Sequence, residues 1–288
     1  MCAKVGATLI LEKSFAFPQA ILDKVKAEQV TGFPLVPTMA ALLLQMRSIQ
    51  PGMFPSLRYI TNTAAALPAA HIQRLRELFP ATKLFSMYGL TECKRCTYLP
   101  PEELEHRPTS VGIAIPGTEA YVVDETGERV PPGVTGELVI RGSHVMKGYW
   151  GDEAATNRCL KPGPHPWEKV LYTGDLFRTD EEGFLYFVGR KDDIIKTRGE
   201  KVSPKEVENV LYEMPGIREA CVIGVPDPIL GNAIKAIVAA DDGLTERDVI
   251  RHCAARLEDF MVPSTVEFRA ALPKSENGKI ARKELVAA

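Results

Sequence analysis

Four short stretches of this sequence gather side chains that can do chemistry. Tyr88-Gly89-Leu90-Thr91-Glu92 supplies an aromatic ring, a hydroxyl and a carboxylate within five residues. Glu92 is the hard oxygen ligand that Mg²⁺ prefers, Thr91 offers a hydroxyl to phosphate oxygens, and Tyr88 presents a flat face on which adenine can stack. Tyr172-Thr173-Gly174-Asp175 places a carboxylate after a Thr-Gly turn, where it can accept two hydrogen bonds from a ribose diol. Gly189-Arg190-Lys191-Asp192-Asp193-Ile194-Ile195-Lys196, continued by Gly199-Glu200-Lys201-Val202-Ser203-Pro204, opens with a polar break suited to absorbing a large φ/ψ change. Pro273-Lys274-Ser275-Glu276-Asn277-Gly278-Lys279-Ile280 carries Lys279 in an Asn-Gly-Lys loop. Bringing a carboxylate against a polyanionic triphosphate needs positive charge, Mg²⁺ and orientation, and these groups could supply them. Each stretch alone also has a plainer reading. Thr91-Glu92 is an exposed turn after a strand, Asp175 a β-turn acid and Arg190 a surface cation. Lys191-Asp192-Asp193 is a solvated linker, Gly199 a turn glycine and Lys279 a solvated hairpin lysine.

In this order and spacing, the four stretches resemble the adenylate-forming (AMP-binding) superfamily. That group includes acyl-CoA synthetases, stand-alone and peptide-synthetase adenylation domains, and beetle luciferases. A softer match, Asn62-Thr63-Ala64-Ala65-Ala66-Leu67-Pro68, stands where the family places a small-residue adenine loop. The resemblance covers essentially the whole chain and implies a set of roles. Ala64, Ala65, Tyr88, Gly89, Asp175 and Arg190 would bind nucleotide. Thr91 and Glu92 would be catalytic, Glu92 through Mg²⁺. Lys279 would be the mobile catalytic lysine, its ammonium bridging substrate carboxylate and α-phosphate oxygens. Asp192 would be the hinge of a C-terminal domain rotation, and Gly199 would let backbone approach a pantetheine arm. The neighbours Lys274, Arg282 and Lys283 read as solvated.

The implied activity is an AMP-forming acid–thiol ligase using ATP, Mg²⁺ and CoA. A sister reading loads the phosphopantetheine of an acyl or peptidyl carrier protein. From a different class, a non-catalytic remnant would bind nucleotide or a partner protein. A luciferase-type oxidoreductase shares every motif, but nothing in the chain points to oxygen chemistry. The carboxylic acid itself is not legible, although small Ala64, Ala65 and Ala66 hint at room for an extended or bulky acyl group.

One family feature is missing from the sequence. The phosphate loop rich in Ser, Thr and Gly, followed by Pro-Lys-Gly, is nowhere in these residues, and no Gly-x-x-x-x-Gly-Lys replaces it. A full-length relative would carry roughly two hundred further residues at its N-terminus, which fits the usual domain scale. The expectation is that a missing N-terminal half completes the enzyme, and that this chain alone adenylates poorly or not at all.

The elements that must position these residues fall into three parts. Residues 1–110 alternate strand and helix: a strand over Gly6–Leu11, an amphipathic helix over Phe17–Gln29, a helix over Thr38–Gln50, a strand over Leu57–Asn62, and helical spacing at His71, Ile72, Leu75 and Leu78. Residues 111–190 are short Val-, Tyr- and Ile-rich runs between turn signals, an antiparallel β pattern. Residues 191–288 mix both. Ser203-Pro204-Lys205-Glu206 predicts a capped helix with a capping box, Ala220–Val225 and Ile234–Ala239 predict strands, Thr245 caps a helix through Leu257, and a short basic helix starts at Ala281. The fold class is therefore α/β: a truncated parallel α/β N-terminal subdomain plus a small antiparallel β subdomain, followed by a mobile α+β C-terminal domain.

Bulk properties fit. The 288 residues are 45% hydrophobic and 25% charged, with a formal net charge of -2. Nothing in that balance favours nucleic acid or an anionic membrane. No apolar run approaches the ~18 residues of a transmembrane segment, and the chain reads as cytoplasmic. The six cysteines read as reduced thiols. Cys93 and Cys96 form a Cys-x-x-Cys, but no second Cys or His pair at comparable spacing marks a zinc site.

Overall fold

The structure is a computed structural model and describes residues 2–62, 67–241, 243–275 and 279–286. Its first part is α1 (Pro18–Ala27), β1 (Gly32–Leu35), α2 (Pro37–Gln45), β2 (Tyr59–Asn62), α3 (Ala69–Leu78) and β3 (Lys83–Leu90). Strands β1, β2 and β3 pair in parallel, with Phe33 opposite Ile60 and Ile60 opposite Leu84. The helices bury one stripe each, Leu22 and Val25 from α1, Leu43 and Leu44 from α2, Ile72 and Leu75 from α3, in one core with Leu35 and Ile60. Proline at the first turn of α1 and α2 supplies the preset φ that starts a helix.

Two expectations fail here. Gly6–Leu11 is not a strand: a 3₁₀ turn over Cys2–Val5 leads into irregular chain that pairs with no strand among the described residues. A strand needs a ladder partner, and without one this apolar run leaves Leu9 and Leu11 exposed. The second helix ends at Gln45 rather than Gln50, because Met46 takes an extended backbone and the chain turns Ile49 into the core.

The chain continues through β4 (Lys94–Tyr98), β5 (Ser110–Ala114), β6 (Thr118–Val123), β7 (Gly136–Gly142), α4 (Glu153–Cys159), β8 (Leu160–Pro162), β9 (Lys169–Thr179) and β10 (Leu185–Arg190). These strands are antiparallel, and they extend the parallel strands in one sheet ordered β1-β2-β3-β4-β5-β10-β9-β7-β6, with β8 on β9. Leu138, Ile140, Leu171, Phe177 and Leu185 form a core on one face of the antiparallel part.

The last part is β11 (Ile195–Thr197), β12 (Glu200–Val202), α5 (Pro204–Glu213), β13 (Ile217–Asp227), β14 (Gly231–Ala240), α6 (Glu246–Ala254), β15 (Thr265–Phe268) and α7 (Arg282–Val286). Strands β13, β14 and β15 form a small sheet with helices on both faces. Alternation along β13 divides its side chains: Ala220 and Val222 pack with α5 and α6, Cys221 and Ile223 with Leu285 of α7. The start of α5 keeps half of the expected box. Ser203 Oγ accepts from the Glu206 N–H at 3.3 Å, but no return bond from the Glu206 carboxylate is present among the described residues. The reciprocal box forms instead on α6, between Thr245 and Asp248.

Candidate active site

Strand β3 changes partners along its length, and the site grows from that change. Lys83 to Ser86 pair in parallel with β2, whereas Met87 to Leu90 pair antiparallel with β4. Past the last paired residue of β2, Asn62, the chain turns through Thr91–Cys93 and returns as β4. This places Tyr88, Thr91 and Glu92 at the carboxyl end of a parallel strand, where α/β sheets hold their ligands. The turn is tight, with the Cys93 N–H on Leu90 O at 3.3 Å and Lys94 at φ 60°. Gly89 is required by this crossing. A Cβ there would sit 1.7 Å from the Lys94 carbonyl oxygen.

Asp175, on β9, is 6% exposed. The Tyr88 hydroxyl donates to its Oδ2 at 2.7 Å, and Arg190 Nε stands 3.4 Å from its Oδ1. The guanidinium is close enough to attract but is not aligned as a hydrogen bond, so Oδ1 is buried without a donor. Cross-strand register sets this pairing, because Arg190 of β10 lies directly opposite Asp175. Burial pushes the Asp175 carboxyl above the ordinary aspartate range; Tyr88 and Arg190 pull it back down, and the charges of Glu92 and Asp193 add to the rise. Tyr88 meets Phe177 edge-to-face at 4.9 Å, and burial together with Asp175 raises its phenol.

Glu92 is half-buried and accepts a hydrogen bond from the Tyr149 hydroxyl. Its backbone carbonyl accepts from Met146 N at 2.7 Å, so the segment after β7 is tied to this turn twice. Tyr149 gave no sequence signal, because its partner is 57 residues away.

Glu137 joins the Gly174 turn to the break after β10: Oε1 accepts from Gly174 N at 3.0 Å, and Oε2 is 2.9 Å from Lys191 Nζ. Asp192 is exposed in a 3₁₀ turn over Lys191–Asp193. Gly199, with Arg198, forms the β11–β12 turn at φ 84° and 53°. It does not line the site, and a Cβ there would meet open space.

One of the basic residues expected in solvent is held instead. Arg282 donates to Glu208 Oε1 at 2.6 Å and to the Val222 carbonyl, and lies 3.7 Å from Asp193. Glu208, 6% exposed, also accepts from Val222 N at 3.0 Å. Lys274 is exposed as expected, and it also pairs with Glu219 at 2.5 Å. Charged groups this close to a packed sheet must be paired to be tolerated. Lys283 is exposed as expected.

Tyr88, Gly89, Thr91, Glu92, Asp175, Arg190 and Lys279 all line one cleft of about 610 Å³. The cleft opens between the β3–β4 turn and the β13 face, and Lys205, Glu208, Tyr212, Glu219 and Arg282 complete its far wall. Lys279 is exposed at its mouth. Ala64 and Ala65 lie outside the described residues. Asp192 and Gly199 are not in the lining.

Comparison with known proteins places the chain in a family. The family model described as AMP-binding enzyme matches residues 1–150, and the model for the AMP-binding enzyme C-terminal domain matches residues 206–279. A long-chain-fatty-acid–CoA ligase of Escherichia coli O6:H1 is 38% identical over 97% of this chain and 49% of its own length. A feruloyl-CoA synthase from Amycolatopsis is 35% identical over 97% of this chain and 56% of its own. Among solved structures, ATP-bound MatB from Rhodopseudomonas palustris superimposes with a TM-score of 0.88 at 31% identity, over 98% of this chain and 55% of that one. The chain spans about half the length of the curated relatives it matches.

Proposed function

This chain belongs to the AMP-binding enzyme family, and on that premise we propose that it carries the ribose, metal and lysine elements of an AMP-forming acid–thiol ligase. The observation that carries the reading is the convergence of Tyr88, Thr91, Glu92, Asp175, Arg190 and Lys279 on one cleft, from segments as far apart as residues 88 and 279. The buried, donor-less Oδ1 of Asp175 fits a ribose hydroxyl. The Glu92 carboxylate, steadied by Tyr149, keeps lone pairs for a hard divalent cation, and Mg²⁺ bound there would neutralise developing phosphate charge.

In the first half-reaction a substrate carboxylate oxygen attacks the α-phosphorus of ATP and pyrophosphate leaves. Lys279 approaches the α-phosphate and carboxylate oxygens from the cleft mouth and stabilises the charge that builds there. Thr91 donates its hydroxyl to a phosphate oxygen. In the second half-reaction a thiolate attacks the acyl carbon and AMP leaves. Asp192 is the pivot that lets the segment carrying Lys279 withdraw, and the Lys191–Glu137 ion pair next to it breaks or holds as the pivot turns. Gly199, outside the cleft lining in this arrangement, reaches the thiol path only after such a rotation. Ala64 and Ala65 are assigned to nucleotide binding by the family resemblance alone. CoA is the preferred acceptor because the relatives are named as CoA ligases; a carrier protein is the alternative.

No phosphate loop is in the sequence, so full turnover requires a further polypeptide that supplies one. Leu9, Leu11 and Phe17, 63%, 76% and 78% exposed, offer that half an apolar surface to cover. The test is carboxylate-dependent ATP–pyrophosphate exchange. We expect none from this chain alone and measurable exchange from a form extended at its N-terminus by the missing half. In that form Lys279→Ala lowers exchange on the order of a hundredfold. Undiminished exchange in Lys279→Ala would overturn the assignment.

A further inference from the structure

Cys93 ends the turn that also holds Thr91 and Glu92, Cys96 follows three residues later on β4, and both are buried, at 1% and 0% exposure. The fold brings a third group to them. One ligand atom each from Cys93, Cys96 and His144 lie within 4.8 Å of one another. His144 comes from the segment after β7, more than forty residues away, which is why the sequence shows no second half of the motif. Its Nδ1 edge rests against Gly142, and its Nε2 is buried with no hydrogen-bond partner.

We propose that Cys93, Cys96 and His144 form a binding site for Zn²⁺. Two thiolates and an imidazole are the soft and borderline donors this ion selects. Tetrahedral zinc at about 2.3 Å from sulfur and about 2.0 Å from nitrogen needs ligand atoms roughly 3.5–3.8 Å apart, so the three groups close on the ion by shifts of an ångström or less. Two independent features point to the cation. Donors of the right types converge from two segments, and a buried imidazole nitrogen lacks any other partner. On binding, the two thiols release their protons to solvent, neutral His144 gives its Nε2 lone pair, and the fourth position is left to water.

The ion would act as a clamp. It joins the turn of Thr91 and Glu92 to the segment whose Met146 and Tyr149 already hold Glu92. This consequence rests on the ligase reading; the metal site itself does not.

The test is metal content and spectroscopy of the full chain. Elemental analysis after zinc loading and desalting should give about one zinc per chain, and Co²⁺ substitution should give thiolate-to-cobalt charge-transfer absorption with tetrahedral d–d bands. Cys96→Ala and His144→Gln should each lower zinc affinity at least about tenfold, while Cys159→Ala should not. If Cys96→Ala does not fold, the wild-type cobalt spectrum and His144→Gln still decide the matter. Wild-type chain that takes up neither zinc nor cobalt, that holds copper(I) alone, or that yields a Cys93–Cys96 disulfide in place of free thiols would overturn the proposal. None of these outcomes depends on whether ATP is turned over.

Discussion

The hydroxyl of Tyr88 sits 2.7 Å from Oδ2 of Asp175, a residue 87 positions further along the chain. That bond makes the tyrosine a positioning group for the carboxylate, a role distinct from offering its ring to adenine. The two roles separate in Tyr88→Phe, which keeps the ring and removes the donor. If the bond matters, AMP affinity falls roughly ten- to a hundredfold, the worth of one hydrogen bond to a charged acceptor. Titration calorimetry with AMP checks this, and unchanged affinity would leave stacking as the whole contribution of Tyr88.

Gly89→Ala tests the crossing of β3 and β4. Its methyl would overlap the Lys94 carbonyl, which is backbone and cannot swing aside. The strands must separate or the turn must shift, costing roughly 2–4 kcal/mol. Urea unfolding monitored by circular dichroism should show that loss, whereas Gly133→Ala, at a turn with open space around its Cβ, should lose less.

His71 governs an acid-sensitive part of the stability. Its ring meets Tyr212 at 5.5 Å across the cleft, and burial, with help from Arg74 and Lys205, lowers its pKa to about 4 from 6.5. Between these values the unfolded chain binds a proton that the folded one refuses, so stability rises with pH across that window and is lost as pH falls from 6.5 towards 4. Below the window the loss is complete, at up to about 3 kcal/mol. His71→Gln should flatten this part of the Tm–pH curve; an unchanged slope would count against the buried, neutral imidazole.

Arg282→Met would leave Glu208 buried without its cation. With the arginine side chain 26% exposed and that of Glu208 8% exposed, the expected cost is roughly 2–4 kcal/mol. The exposed neighbour Lys283→Met should change stability by less than about 0.5 kcal/mol. Equal Tm shifts in the two variants would show that the pairing at Arg282 carries no weight.

Most of the architecture could be read from local pattern, and the exceptions share a cause. Helices α1, α3, α5 and α6 announce themselves through spacing and through Pro or Thr at their starts, signals contained within one or two turns. Strand β13 and strand β14 are apolar runs of ample length. Gly6–Leu11 has the same apolar look, but strand formation depends on a neighbour that no local window reveals. The site divides the same way. Glu92, Asp175, Arg190 and Lys279 were legible because each sits in a motif; Tyr149 and Glu208 were not, because their partners are found only after folding. Arg282 was misread for that reason, as a basic residue in a short terminal helix has no local sign of the buried glutamate it meets.

Strand β1 has a single neighbour among the described residues. Its outer edge therefore carries free main-chain donors and acceptors beside an apolar core, the arrangement from which chains aggregate or accept an added strand. Two properties limit how much an intruder gains: the strand is four residues long, and Pro34 removes one donor. Gly32–Leu35 is thus one edge at which the polypeptide could pair with another chain, and a lysine introduced there would blunt it.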